Sequence, residues 1–220
     1  MWQYGRRSLG GLVLWMLALA ALPVTAELLW HMLQQPAWWG GVIAAVLLYR
    51  CWAGLRAHLR FVRILDHELS HVLMCVLWLQ QPTRLEINVQ EGGAMHYRGQ
   101  GQRGELWITL APYVWRLPVL LLSMLSPLFD QPEYQQLFWL LYGVVCTYSV
   151  WAIITEWHPQ QTDLQYMGMR WSLAYVLPLH VIGWGVALSI VFAEADVLDL
   201  LNSMYEHFKW AGRWLWQRVS

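Results

Sequence analysis

Long uncharged apolar stretches alternate with short polar breaks along this chain, and six of them predict membrane-spanning helices. They run from Ser8 to about Trp30, Ala37 to about Leu55, Leu59 to Leu79, Leu106 to Phe129, Tyr134 to Thr155 and Trp171 to Ala193. The second carries a single charge, Arg50, near its end, where a long side chain can reach the interface. Pro112, Arg116 and Pro118 interrupt the first half of the fourth. Arg6-Arg7 ahead of the first run, with Val24-Thr25-Ala26 near its end, follow the layout of a signal peptide. The run is longer than a usual signal core, so a retained first span is expected. After the sixth segment, Val197, Leu200, Leu201, Met204, Tyr205 and Phe208 recur at helical spacing between early acids and late bases. This predicts an amphipathic helix over 194–220 lying on the membrane surface, anchored by Trp210, Trp214 and Trp216.

One stretch departs from the helical pattern. Residues 84–89 alternate polar and apolar, Glu91-Gly92-Gly93 has turn chemistry, and residues 94–98 return, which predicts a β-hairpin. Its apolar positions Leu85, Ile87 and Val89 form the expected edge for receiving an unfolded peptide strand by backbone pairing. The expected fold is an all-α integral membrane protein of one domain, with a core over 59–193. It has about six transmembrane helices, and a small membrane-associated β-hairpin follows the third.

Composition sharpens this picture. The 220 residues are 58% hydrophobic and only 13% charged, whereas a soluble domain carries about a quarter charged residues. A soluble globule would lack a surface. Zero net charge excludes the electrostatic footprint of a nucleic-acid binder. The 17 tryptophans suit interfacial belts. Cys51, Cys75 and Cys146 show no paired spacing and are expected to be small core residues. With the N-terminus inside, nine Lys and Arg residues fall on the inner side against five outside, which favours cytoplasmic termini.

The candidate chemistry lies in the third segment. His67-Glu68-Leu69-Ser70-His71 is an HExxH motif, and histidines four apart on a helix share one face and can grip one metal ion. Glu68 is then beside the metal, placed to take a proton from an attacking water. With eight His and nine Glu in the chain, a chance match is on the order of 1%, so the motif is informative. Arg63 and Asp66 add to the polar load before the helix turns wholly apolar from Val72 to Leu79. Ionisable groups within a membrane helix are costly and mark function. A catalytic zinc usually has three protein ligands and one open position. The third is expected in the polar stretch between the fifth and sixth segments, with Asp163 first and His158 or Glu156 as alternatives. Arg63 and Asp66, three apart, are expected to pair. His180, beside Pro178, is expected to bond carbonyls freed by the proline, and His96 to sit on a solvated strand face. A diiron oxidase would need several histidine boxes, and the chain has one pair at suitable spacing.

The helix Asp66–Leu73 resembles the HELxH helix of the site-2-protease-like membrane metallopeptidases, the M50 group. The hairpin over 84–98 is similar to the one that follows the zinc helix in that group. Ile108-Thr109-Leu110-Ala111-Pro112 resembles its small-residue-Gly-Pro element without the glycine. Asp163 matches its aspartate ligand, set in Gln161-Thr162-Asp163-Leu164 instead of the family's Asn-Pro-x-x-Asp-Gly. The resemblance spans about residues 60–170 and carries no PDZ or CBS module. It implies one Zn²⁺ per chain held by His67, His71 and Asp163, with Glu68 as general base and Tyr113 or Arg116 as oxyanion or substrate contacts. The implied activity is hydrolysis of peptide bonds in locally unwound transmembrane segments of other proteins. Membrane lipid is the expected surrounding, with room for a regulatory membrane partner, and a bacterial inner membrane is the expected location. The alternative is a catalytically inactive zinc-binding scaffold that holds a partner protein.

Overall fold

The computed structural model describes residues 2–90, 92–98, 104–114 and 116–192, with isolated positions (202, 205, 206, 209 and 213) beyond. Apart from those positions, the expected amphipathic helix over 194–220 lies outside the described residues. The order of elements is α1 (Trp2–Leu33), α2 (Pro36–Cys51), α3 (Ala53–Leu77), β1 (Gln81–Asn88), β2 (Gly92–Arg98), α4 (Glu105–Val114) and α5 (Leu117–Met124). A 3₁₀ turn (Ser126–Phe129) follows, then α6 (Pro132–Glu156), α7 (Thr162–Met167) and α8 (Met169–Val191). Prolines open α2, α5 and α6, where a missing N–H costs no helical hydrogen bond.

Three helices are long and apolar enough to cross a membrane: Gly10–Leu33 of α1, α6 and α8. Two bent pairs, α2 with α3 at 111° and α4 with α5 at 75°, raise the number to five if each pair is one span. The six separate spans expected from hydropathy are therefore reduced, because the second and third segments form one bent pair. The 16 residues of α2 reach only about 24 Å, short of the roughly 30 Å hydrocarbon core. At its end, Arg56 Nη1 donates to the carbonyls of Tyr49 and Arg50, both at 3.2 Å, and so satisfies the helix terminus where the chain turns. Cys51 is exposed at this corner, contrary to expectation, while Cys75 and Cys146 are buried; all three thiols are free.

Backbone contact joins α2 to α6. A Cβ on Gly41 would fall 2.0 Å from the Leu140 carbonyl oxygen, and one on Gly143 would fall 2.1 Å from that of Trp38. Only glycine permits this approach, which suits a solvent where apolar side chains gain little by meeting. Around it Leu28, Met32, Trp38, Phe138, Tyr142 and Leu188 form one core cluster. A second cluster, with Leu110, Tyr113, Leu164, Met167, Tyr175 and Val176, lies against α7. Leu12, Leu19, Leu47, Leu121, Leu137 and Ile154 face outward, as lipid contact requires.

The hairpin pairs Leu85 with Met95 and Ile87 with Gly93 in an antiparallel ladder, with an irregularity between Pro82 and Arg84. It matches the expected segment except that Val89 falls in the turn, past the end of β1. His96 is exposed on the hairpin, 3.5 Å from Glu86.

Candidate metal centre

Along α3 the polar stripe faces inward: Asp66, His67, Glu68, Ser70 and His71 are all buried, while Phe61, Val62, Leu73, Val76 and Leu77 are exposed. From Phe61 onward this inverts a soluble amphipathic helix and leaves the outward face apolar. The two histidines meet Asp163, which α7 supplies from 96 residues downstream. His67 Nε2 lies 3.1 Å and His71 Nε2 3.3 Å from Asp163 Oδ2. Together the three residues are a group that could hold a metal ion, their ligand atoms within 4.8 Å of one another. Zinc bonds of about 2.0–2.1 Å put tetrahedral ligands about 3.3 Å apart. The residues fit the ion.

Both imidazoles are oriented from behind. His71 Nδ1 donates to the Ile108 carbonyl at 2.7 Å, which leaves the Nε2 lone pair for a metal. That carbonyl is available because its usual helical partner, four residues on, is Pro112, which has no N–H. His67 Nδ1 faces Glu156 Oε2 at 3.2 Å. His67 thus stands between two carboxylates, and a proton or a metal cation is needed at Nε2 to reconcile them. Burial alone would raise the Asp163 carboxyl, but hydrogen bonds with His67 and His71 outweigh it and hold it below the usual carboxylate range.

Asp163 is held in place by its short helix. Leu164 and Met167 anchor α7 in the second core cluster, and Gln165 Nε2 donates to the Pro159 carbonyl at 3.0 Å. Tyr166 donates from its hydroxyl to Glu105 of α4. At Gly168, with φ of +81°, the chain takes a conformation that disfavours other residues and turns into α8.

Behind the histidines lies a buried ionic network. Arg116 Nη2 is 2.5 Å from Glu156 Oε2, and its Nη1 is 3.3 Å from Asp66 Oδ2. Tyr148 donates to the same Asp66 oxygen at 3.4 Å. Arg63 approaches Glu156 at 3.8 Å and lies over the Trp151 ring. The expected Arg63–Asp66 pair is therefore replaced: across the bundle each finds a partner that the local spacing could not reveal. Glu156 stands on the far side of His67 from Asp163, and His158 lines the cleft without joining the donor group. Arg116, an expected oxyanion contact, is buried with both acids and does not line the cleft. Tyr113 has its hydroxyl 3.5 Å from Asp163 Oδ2, and its ring meets His67 edge-on. Among the described residues, His180 has no hydrogen-bond partner on either ring nitrogen, and the expected bond to a proline-freed carbonyl is not seen.

The donor group opens into a cleft of about 700 Å³. Glu68 lines it beside His67, and β2 crosses so close that a Cβ on Gly93 would fall 2.5 Å from Glu68 Oε1. The opposite wall is β2, from Gly92 to Met95 and Tyr97, with Val89 of the turn. Leu85 and Ile87 of β1 do not line it, because the Gly92-Gly93 pair lets the second strand approach instead.

No curated protein and no solved structure matches the chain. The Peptidase M50B-like family model, by contrast, matches residues 38–195 and takes in the whole cluster just described, and the chain belongs to that family.

Proposed function

We propose that this protein is a zinc-dependent endopeptidase that cleaves peptide bonds in or near transmembrane segments of other membrane proteins. The observation that carries this reading is the convergence of His67, His71 and Asp163 at tetrahedral spacing, beside a buried Glu68 and within one cleft. Membership of a peptidase family and apolar helices long enough to cross a membrane support it. Zinc in this donor set supplies Lewis-acid polarisation of the scissile carbonyl and makes the attacking water more acidic.

The chain's own residues do the rest. Ile108 and Glu156 fix the two imidazoles with their Nε2 atoms facing Asp163. Glu68 takes the proton of the attacking water and delivers it to the leaving amine. Tyr113 directs its hydroxyl toward Asp163 and restrains that carboxylate. A transmembrane substrate must unwind locally, because a helix hides its carbonyls in its own hydrogen bonds. The backbone of β2, with Val89, is the surface that receives the unwound strand.

The test is cleavage of transmembrane reporter segments by reconstituted protein, wild type against Glu68→Gln, with zinc content measured in both. Loss of cleavage by at least about a hundredfold, zinc being retained, is the expected outcome. Equal cleavage by both proteins would remove Glu68 from the chemistry. No cleavage by either, with an unchanged cellular output in the variant, would favour the inactive scaffold.

A further inference from the structure

Arg60 stands apart from the other charged residues in the cleft and in the network behind it. Asp66, Glu68, Glu156 and Asp163 bring four negative charges, and Arg63 and Arg116 bring two positive ones. A divalent ion among His67, His71 and Asp163 closes this balance at zero, as burial requires. Arg60 is not needed for it. Among the described residues its guanidinium has no hydrogen bond or ion pair; it is exposed, yet it lines the same cleft. Helical periodicity puts Arg60 on one stripe with His67 and His71, seven and eleven residues on. At 1.5 Å per residue it lies about 10 Å from His67 along the axis, and an extended chain covers that distance in about three residues.

We infer that Arg60 is a specificity determinant that binds a carboxylate of the substrate about three to four residues from the scissile bond. The inference rests on the proteolytic reading above and names a feature of its substrate. A carboxylate suits the planar guanidinium, which can engage both oxygens at once. Among the described residues of the lining, Arg63 is the next charged residue of α3, and Gln90 and Gln160 are neutral. The carboxylate can belong to an Asp or Glu side chain or to a chain terminus.

The test walks Asp, Asn and Lys through positions two to five on either side of the scissile bond of a cleaved reporter segment. Cleavage is compared in wild type, Arg60→Gln and Arg60→Glu. Replacing Asp by Asn at one position is expected to lower kcat/KM about tenfold in wild type. That ratio is expected to collapse toward one in Arg60→Gln, and Arg60→Glu is expected to prefer Lys. Reporters ending at that position as free acid or as amide separate a terminal carboxylate from a side chain. A ratio near one at every position in wild type, or the same ratio kept in Arg60→Gln, would overturn the inference. So would a uniform loss on all reporters in Arg60→Gln, which would assign Arg60 to lipid headgroups. Should wild type cleave nothing, the proteolytic reading fails by itself. Binding of fluorescent Asp and Asn peptides to zinc-loaded Glu68→Gln, with Arg60 present or changed to Gln, then decides: about tenfold tighter binding of the Asp peptide, lost with Arg60, supports the contact, and equal binding overturns it.

Discussion

The α2–α6 contact and the α3–α7 contact are both buried in the same apolar bundle, yet opposite means hold them. Between α2 and α6 no ion pair is made among the described residues, and two glycines bring the backbones together. Between α3 and α7 two histidines meet an aspartate, and behind them Arg116, just ahead of α5, ties Glu156 of α6 to Asp66 of α3. In lipid, apolar side chains gain little by leaving their surroundings, so helices associate through close fit or through polar bonds. The first kind of contact has one acceptable shape and no chemistry. The second has one acceptable set of charges, and it is where a metal ion fits.

Cutting the ionic network should cost the most. Arg116→Ala leaves Asp66 buried without its cation and Glu156 with only the more distant Arg63, and a loss of about 3–5 kcal/mol is expected in detergent unfolding. Gly143→Leu attacks the other contact, since any Cβ there meets a backbone oxygen. About 3 kcal/mol is expected from overpacking, with zinc binding unchanged in whatever fraction folds. These two variants separate the contacts: the first should disturb zinc, the second should not. Glu156→Gln keeps the volume and weakens the hold on His67 Nδ1. Zinc affinity is expected to fall about 10- to 100-fold, with a smaller loss of unfolding stability than in Arg116→Ala because Asp66 still faces Arg116. Pro112→Ala restores an N–H that competes for the Ile108 carbonyl, so a smaller fall in zinc affinity, about tenfold, is expected by competition with a chelator. Tyr166→Phe removes the bond to Glu105 and should lower unfolding stability by about 1 kcal/mol, since the ring is exposed.

Sequence reasoning reached furthest where the relevant geometry is local. His67, Glu68 and His71 lie within one helical turn, so their spacing alone puts them together. The hairpin was legible in strict alternation and a glycine turn, but alternation does not say which strand faces the cleft, and β2 does. Asp163 is 96 residues from His67; only its polar setting and the family resemblance singled it out. The Arg116–Glu156–Asp66 network could not be read, because each pairing spans at least 40 residues and a sequence does not print such distances. Local spacing favoured Arg63 with Asp66, and tertiary pairing overrode it. A signal for the second of the two histidine supports was available: Pro112 frees the Ile108 carbonyl, a consequence of helix geometry that needs only the spacing of four. Hydropathy put the boundary between two spans at about residues 55–59, past the actual corner at Trp52, since a window average carries no direction and the 111° bend is a matter of direction.

The central claim is that His67, His71 and Asp163 hold one zinc ion together. Zinc per chain in detergent-purified protein, wild type against His71→Ala and Asp163→Ala, tests this most directly. About one zinc per wild-type chain, with both variants strongly depleted and still folded, is the predicted result. A wild type without zinc after resupply, or an Asp163→Ala variant that keeps its full complement, would contradict it.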